Sequence, residues 1–306
     1  MYTNSQVAVK VAGRHGNMHK SCLGVKQGCP LSPTRMGMFE YLQSVESNSR
    51  PQLSSSQRVS ALMYADDIVL MSTTAEGLQR LINATAQYCR GKGMTISPAK
   101  TAVVAFRSTS HKPAWEHTWT CDGAPLQQCD AWKYLGLVFT ATRGVAGGML
   151  EMQRQQNAAA GLLRRRFKRL DCHYSVDVMM HLYLTTIAPT ASYGCEVRGL
   201  RRMVAECRTG RYNLEASYVQ TMRELCGVRR FVPAAVLLQE LGELPLAVEW
   251  KRQTLRFWSA LTALPEASIF KQAAMDDLAA AQQSNKQLGS WTVGMCEAAW
   301  HGADSR

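Results

Sequence analysis

The hydrophobic pattern opens with two short β-like runs, Val7 to Val11 and Met18 to Leu23. Between them lies Gly13-Arg14-His15-Gly16-Asn17, whose glycines and asparagine suit a hairpin turn. The stretch Gly24 to Pro33 holds too much Gly and Pro for a regular element. Ser32-Pro33 then reads as a helix start, with Met36, Met38, Phe39, Leu42 and Val45 forming the apolar face behind it. A serine-rich loop over 47–56 leads into Val59 to Tyr64, then Ala65-Asp66-Asp67, then Ile68 to Met71. Apolar strand, acidic turn, apolar strand predicts a β-hairpin with two carboxylates at its tip. Thr74 predicts the cap of a helix reaching about Cys89, with Leu78, Leu81, Ile82 and Ala86 at helical spacing and Gly91 and Gly93 closing it. Short strands are expected over 101–106, around 121–124 and over 132–139.

After Gly148 the period changes to that of helices, predicted over 149–170, 175–200, 203–226, 233–240, 245–263 and 266–282. Trp250, Leu255, Phe257, Trp258 and Leu261 read as a helical core face. The class expected is α+β, with a mixed portion over 1–145 and a helical, basic portion over 146–306. No apolar run approaches the ~18 to 20 residues that span a bilayer. The first residues lack the apolar stretch of a secretory signal, so an intracellular setting without a membrane is expected.

Charge narrows the partners. The 306 residues carry 35 Lys or Arg against 23 Asp or Glu, a formal net charge of +12. Residues 143–230 hold 15 of the basic residues against 7 acids. Arg164, Arg165, Arg166, Lys168 and Arg169 cluster on one predicted helix, a pattern that suits the phosphates of a nucleic acid. The ten cysteines show no CxxC pair or repeated spacing and read as reduced, packed thiols. Cys296 and His301 lack the further ligands nearby that a zinc site needs.

Adjacent carboxylates at a tight turn repel each other unless a cation or hydrogen-bond donors meet them. Asp66 and Asp67 offer hard oxygens of the kind Mg²⁺ takes together with water and phosphate. Tyr64-Ala65-Asp66-Asp67 between apolar strands resembles the YxDD box of reverse transcriptases. Gln27-Gly28-Cys29-Pro30-Leu31-Ser32-Pro33 resembles the QGxPLSP box of the same family, Gly93 to Thr101 the lysine-bearing motif that follows, and Tyr134-Leu135-Gly136 the turn of the primer-gripping hairpin. Four boxes stand in the family's order, and their spelling is similar to non-LTR retrotransposon polymerases. Ile187 to Val197, which includes Tyr193-Gly194-Cys195-Glu196, is similar to the helical region after the polymerase core of such elements.

The resemblance implies an RNA-directed DNA polymerase, with a palm of hairpins and helices followed by an all-helical thumb and extension. It implies that Asp66 and Asp67 bind Mg²⁺ and that Tyr64 lies under the primer end. Gln27, Gly28 and Pro30 would line the template and nucleotide pocket. Lys100 would approach the phosphates of the incoming nucleotide and serve as general acid. The implied partners are an RNA template, a DNA primer, deoxynucleotides and further retrotransposon segments, with the nucleus as the implied compartment.

One departure bears on catalysis. The family's first metal-binding aspartate precedes the QGxPLSP box, whereas no Asp occurs before Asp66. The chain therefore resembles the C-terminal part of a polymerase domain. Two expectations stand side by side: a polymerase fragment, and a non-catalytic remnant that at most binds nucleic acid.

Overall fold

The computed structural model describes residues 6–8, 10–20, 37–45, 48–53, 57–107, 116–170, 175–198 and 214–284. The α+β expectation holds: the described strands are short and most pair as antiparallel hairpins, and helices dominate after residue 148. Contacts divide the chain into two units, Met1–Val103 with Trp115–Gln127, and Val104–Ala114 with Gln128–Arg306.

In the first unit the chain pairs β1 (Gln6–Val7) with β4 (His19–Lys20), and β2 (Lys10–Val11) with β3 (Arg14–His15). The reversal falls at Ala12-Gly13, with φ of 48° and 80°, earlier than the expected turn. The pair of positive angles is that of a twist-matched hairpin turn, which needs only two residues. Helix α1 (Met38–Val45) buries Met38 and Leu42, but Phe39, expected in its apolar face, is exposed.

Helix α2 (Ala75–Gly91) organises this unit because two of its faces are apolar. Leu81, Ala84 and Cys89 pack with Met38, Leu42 and Ala61, while Ile82 and Ala86 pack with Val103, Trp119, Cys121 and Leu126. Thr74 caps the helix as expected, its hydroxyl accepting the Gly77 N–H at 3.1 Å, which contributes about 1 kcal/mol. Gln79 reaches the opposite layer, donating to the Thr120 carbonyl at 2.7 Å and accepting the Thr120 N–H at 3.2 Å. The strand expected over 101–106 shortens to β7 (Ala102–Val103), and the short strands β8 (Thr120–Cys121), β9 (Ala124–Pro125) and β10 (Gln127–Gln128) follow.

The second unit begins with a hairpin of β11 (Ala131–Tyr134) and β12 (Leu137–Thr140), followed by a helical array. Its helices are α3 (Met149–Leu170), α4 (Val176–Ser192), α5 (Cys195–Arg198), α6 (Leu214–Leu225), α7 (Ala234–Glu240), α8 (Leu246–Thr262) and α9 (Ile269–Ser284). One core holds Met152, Leu163, Tyr183, Ile187, Met222 and Trp250. Three buried side chains donate hydrogen bonds across helices, which offsets part of the cost of placing polar groups in the dry interior. Tyr183 donates to the Tyr218 carbonyl at 3.1 Å, Trp250 to that of Ala191 at 3.1 Å, and Gln156 to that of Leu214 at 3.1 Å.

The single helix expected over 175–200 is two. The chain leaves α4 at Tyr193 and turns at Gly194, whose φ is +69°. Of the predicted core face of α8, Trp250 and Leu261 are buried, while Phe257 and Trp258 are half-buried. Cys89, Cys121 and Cys195 are buried free thiols, as packed cysteines should be. No described helix is long and apolar enough to cross a membrane.

Candidate functional site

The carboxylate pair sits where the hydrophobic pattern put it. Strands β5 (Ala61–Tyr64) and β6 (Asp67–Leu70) pair in register from Ala61↔Leu70 to Tyr64↔Asp67, leaving Ala65-Asp66 as a two-residue loop. Asp66 is in the loop and Asp67 is the first residue of β6, opposite Tyr64. Ala61 is fully buried under α2 and anchors the far end of the hairpin, while Met63, Ile68 and Leu70 pack against the same core. The tip is solvated: Asp66 and Asp67 are exposed, and the Tyr64 ring is 64% exposed. Ala65 carries φ of +53°, a conformation that favours glycine and places local strain beside the carboxylates.

Lys100 ends a short 3₁₀ turn, Pro98–Lys100, and is exposed. The turn is closed by the Thr101 N–H on the Pro98 carbonyl and by the Thr101 hydroxyl on the Ser97 carbonyl at 2.9 Å. Among the described residues no ion pair joins Lys100 to Asp66 or Asp67. Gln27, Gly28 and Pro30 lie outside the described residues.

Tyr134-Leu135-Gly136 forms the end of β11 and the two-residue turn into β12, with φ of 45° at Leu135 and 78° at Gly136. Here the structure adds something that spacing did not reveal. The Tyr193 hydroxyl donates to the Leu135 carbonyl at 2.6 Å. A Cβ on Gly136 would sit 2.9 Å from the Tyr193 ring, and a Cβ on Gly194 would sit 2.5 Å from Leu137 Cδ2. Both glycines are therefore places where backbone meets side chain. Arg198, 5% exposed, reaches the same region and donates to the Val145 carbonyl at 3.3 Å. The Tyr193-Gly194 turn grips the hairpin from the side of the helical core.

The basic cluster divides. Arg164 is committed to the neighbouring helix α6, with Nε 2.5 Å from a Glu224 carboxylate oxygen and a guanidinium nitrogen 3.2 Å from the Thr221 hydroxyl. Arg165 and Arg166 are exposed and make no ion pair with described residues. Lys168 and Arg169 belong to α3, but their side chains lie outside the described residues.

The comparisons fit this geometry. Residues 2–139 match the family model described as reverse transcriptase (RNA-dependent DNA polymerase). Residues 2–139 are similar to reverse transcriptases. The chain is 32% identical over 152 residues to the retrovirus-related Pol polyprotein from type-1 retrotransposable element R2 of Popillia japonica, covering 47% of this chain and 25% of that protein. It is 28% identical over 157 residues to the corresponding R2 polyprotein of Nasonia vitripennis, covering 46% of this chain and 14% of that protein. With the type-2 element R2DM polyprotein of Drosophila melanogaster it shares 30% over 127 residues, 39% of this chain and 12% of that protein. The aligned stretches thus span a quarter or less of these relatives. The reverse transcriptase reading and its non-LTR retrotransposon character are both borne out.

Reverse transcriptases generally use divalent metal ions, so the donor set can be tested against one. Two exposed carboxylates on one tip suit a single Mg²⁺, which is commonly held by one or two carboxylates, waters and substrate phosphates. Among the described residues no group of three or more His, Cys, Asp or Glu gathers to hold a metal more fully.

Proposed function

We propose that this chain carries the catalytic carboxylate hairpin of an RNA-directed DNA polymerase, joined to a helical unit that holds the primer–template. The observation that supports it most is the solvated Tyr64-Ala65-Asp66-Asp67 tip within the family match. Asp66 and Asp67 would hold Mg²⁺, which when bound neutralises phosphate charge and makes the primer 3′-hydroxyl a better nucleophile. The exposed Tyr64 ring offers a flat apolar surface to the primer terminus. Lys100 would donate to the phosphates of the incoming deoxynucleotide and protonate the departing pyrophosphate. The Tyr134-Leu135-Gly136 hairpin would hold the primer strand, and the free guanidinium groups of Arg165 and Arg166 would meet backbone phosphates.

Asp66 and Asp67 would hold one Mg²⁺, and a second ion would need a further carboxylate, which the resemblance assigns to an aspartate ahead of the QGxPLSP box. Residues 1–65 contain no Asp, so that ligand would come from outside them. This favours a second reading for residues 1–306 taken alone, in which the chain binds nucleic acid without extending a primer. Primer extension on an RNA template with Mg²⁺ tests both. The expected result is no extension by residues 1–306, and extension once a segment bearing an aspartate strand is fused at the N-terminus. Asp66→Asn should then abolish it. Extension by the fusion that is indifferent to Asp66→Asn would refute the assignment. Extension by 1–306 alone, lost on Asp66→Asn, would show that the third ligand lies within it.

A further inference from the structure

The loop between α6 and α7 combines three features that core packing does not require. Phe231 is 77% exposed, the most exposed of the large apolar side chains described. The two residues before it, Arg229 and Arg230, are also exposed and make no ion pair with described residues. The loop is nevertheless firmly held at both ends. Gly227 reverses the chain with φ of +66°, and the Val228 N–H donates to the Arg223 carbonyl at 2.8 Å. The Arg223 guanidinium donates to the Val232 carbonyl at 2.8 Å, and the Val232 N–H closes a turn on the Arg229 carbonyl at 3.2 Å. Val228 and Ala234 pack against the helical core on either side. A fixed platform thus presents two cations and one aromatic face to water.

An exposed phenylalanine alone could meet any apolar surface. Two adjacent free guanidinium groups change the chemistry, because they attract an anion to the place where the ring lies. A single-stranded nucleic acid supplies both partners in one molecule: phosphates for the arginines and a base face for the ring. A duplex hides its base faces in the stack and would leave Phe231 without a partner. We propose that Arg229, Arg230 and Phe231 form a contact site for single-stranded RNA or DNA, with one base stacked on Phe231. The proposal rests on the reading above that the chain engages nucleic acid, and it adds a site in the helical unit outside the boxes of the first 140 residues.

Fluorescence anisotropy with the 306-residue chain tests it, using labelled oligo(U) and oligo(dT) of equal length over a range of salt concentrations. Phe231→Ala should weaken binding by about 5- to 150-fold, the range of one lost base stack, with an unchanged salt slope. Phe231→Trp should retain the affinity. Arg229→Ala with Arg230→Ala should lower the salt slope by about 0.7 for each lost phosphate contact. A larger effect with oligo(U) than with oligo(dT) identifies RNA as the occupant, and the reverse identifies DNA. All three side chains are exposed, so circular dichroism should show unchanged folding. If the unaltered chain binds oligonucleotides and Phe231→Ala leaves their affinity unchanged, the site is refuted while the nucleic-acid reading survives. If the unaltered chain binds no nucleic acid, both fall. Loss of self-association on Phe231→Ala, with oligonucleotide binding intact, would show that the ring serves a protein contact and would equally refute the proposal.

Discussion

The Tyr193 hydroxyl donates a 2.6 Å hydrogen bond to the Leu135 carbonyl, tying the end of a core helix to the turn of the β11–β12 hairpin. The two residues lie far apart in sequence, and each sits in a motif with its own glycine. Gly136 leaves room for the Tyr193 ring, and Gly194 leaves room for Leu137. The arrangement makes the hairpin an attachment of the helical unit, so that the turn is oriented by α4 rather than by its own two strands.

Removing the glycines should therefore cost more than removing the hydrogen bond. Gly136→Ala must accept φ of +78° and a 2.9 Å approach to the Tyr193 ring, with an expected loss of about 1 to 3 kcal/mol. Tyr193→Phe keeps the ring and loses only the hydroxyl. Because Tyr193 is half exposed, its cost should lie near the lower end of about 0.5 to 1.5 kcal/mol. Urea denaturation followed by circular dichroism measures both. A Gly136→Ala chain as stable as the parent would mean that the hairpin does not rest on Tyr193.

How much of this was legible beforehand follows the range of each interaction. The carboxylate tip, the Thr74 cap and most helix boundaries were readable because they depend on neighbours within a turn or a strand. The break at Tyr193-Gly194 was not, since helical periodicity continues through it and the close approach of Leu137 is what the glycine serves. Nor was the fate of Arg164, which depends on Glu224 lying opposite on another helix. Phe231 gave no periodic signal because an aromatic residue in a loop resembles any other interruption. The strand ladder over 101–106 was overestimated for a related reason: apolar composition allows a strand, but a partner strand has to be present for it to extend.

Asp66 and Asp67 should prove costly to activity and nearly free in stability. Both are exposed, and their mutual repulsion at the hairpin tip opposes folding slightly. Asp67→Asn should leave the urea midpoint unchanged or raise stability by a few tenths of a kcal/mol. In a catalytically competent fusion the same change should remove at least a thousandfold of extension rate. A variant that loses stability by more than about 1 kcal/mol would indicate that Asp67 supports the hairpin rather than reaction chemistry.

Stability should also depend on pH through Glu215 at the start of α6. Burial pushes its carboxyl pKa up, although the backbone N–H groups of Leu246 and Ala247 partly offset this by favouring the charged form. The native protein consequently keeps the Glu215 proton to a higher pH than the unfolded chain does. Within that window the native state binds more protons, so stability falls as pH rises through and just above the ordinary glutamate range. Glu215→Gln retains an oxygen acceptor for the two N–H groups and removes the titration. It should flatten the pH dependence of the urea midpoint through and just above the ordinary glutamate range and raise stability above it. Some slope should persist, because burial and the neighbouring Glu249 also raise the Glu243 carboxyl. A pH profile identical to that of the parent would mean that Glu215 is effectively solvated.

The three consecutive arginines of α3 should separate into one structural and two binding residues. Arg164 spends its guanidinium on Glu224 and Thr221, whereas Arg165 and Arg166 are exposed without an ion pair among the described residues. Counterion release depends on charges that meet phosphates, with a slope of about 0.9 per contact on duplex DNA. Arg165→Ala and Arg166→Ala should each reduce the salt slope of primer–template binding by up to that amount, with little change in stability. Arg164→Ala should leave the slope almost unchanged. It should instead cost at most about 1 kcal/mol, since both members of its ion pair are more than one-third exposed and screened by solvent. Restoring stability by pairing Arg164→Met with Glu224→Leu, which replaces the ion pair by an apolar contact, would separate the structural role from any charge effect. If Arg164→Ala lowers the salt slope as much as Arg165→Ala does, then Arg164 releases Glu224 when nucleic acid arrives, and all three arginines act on phosphate.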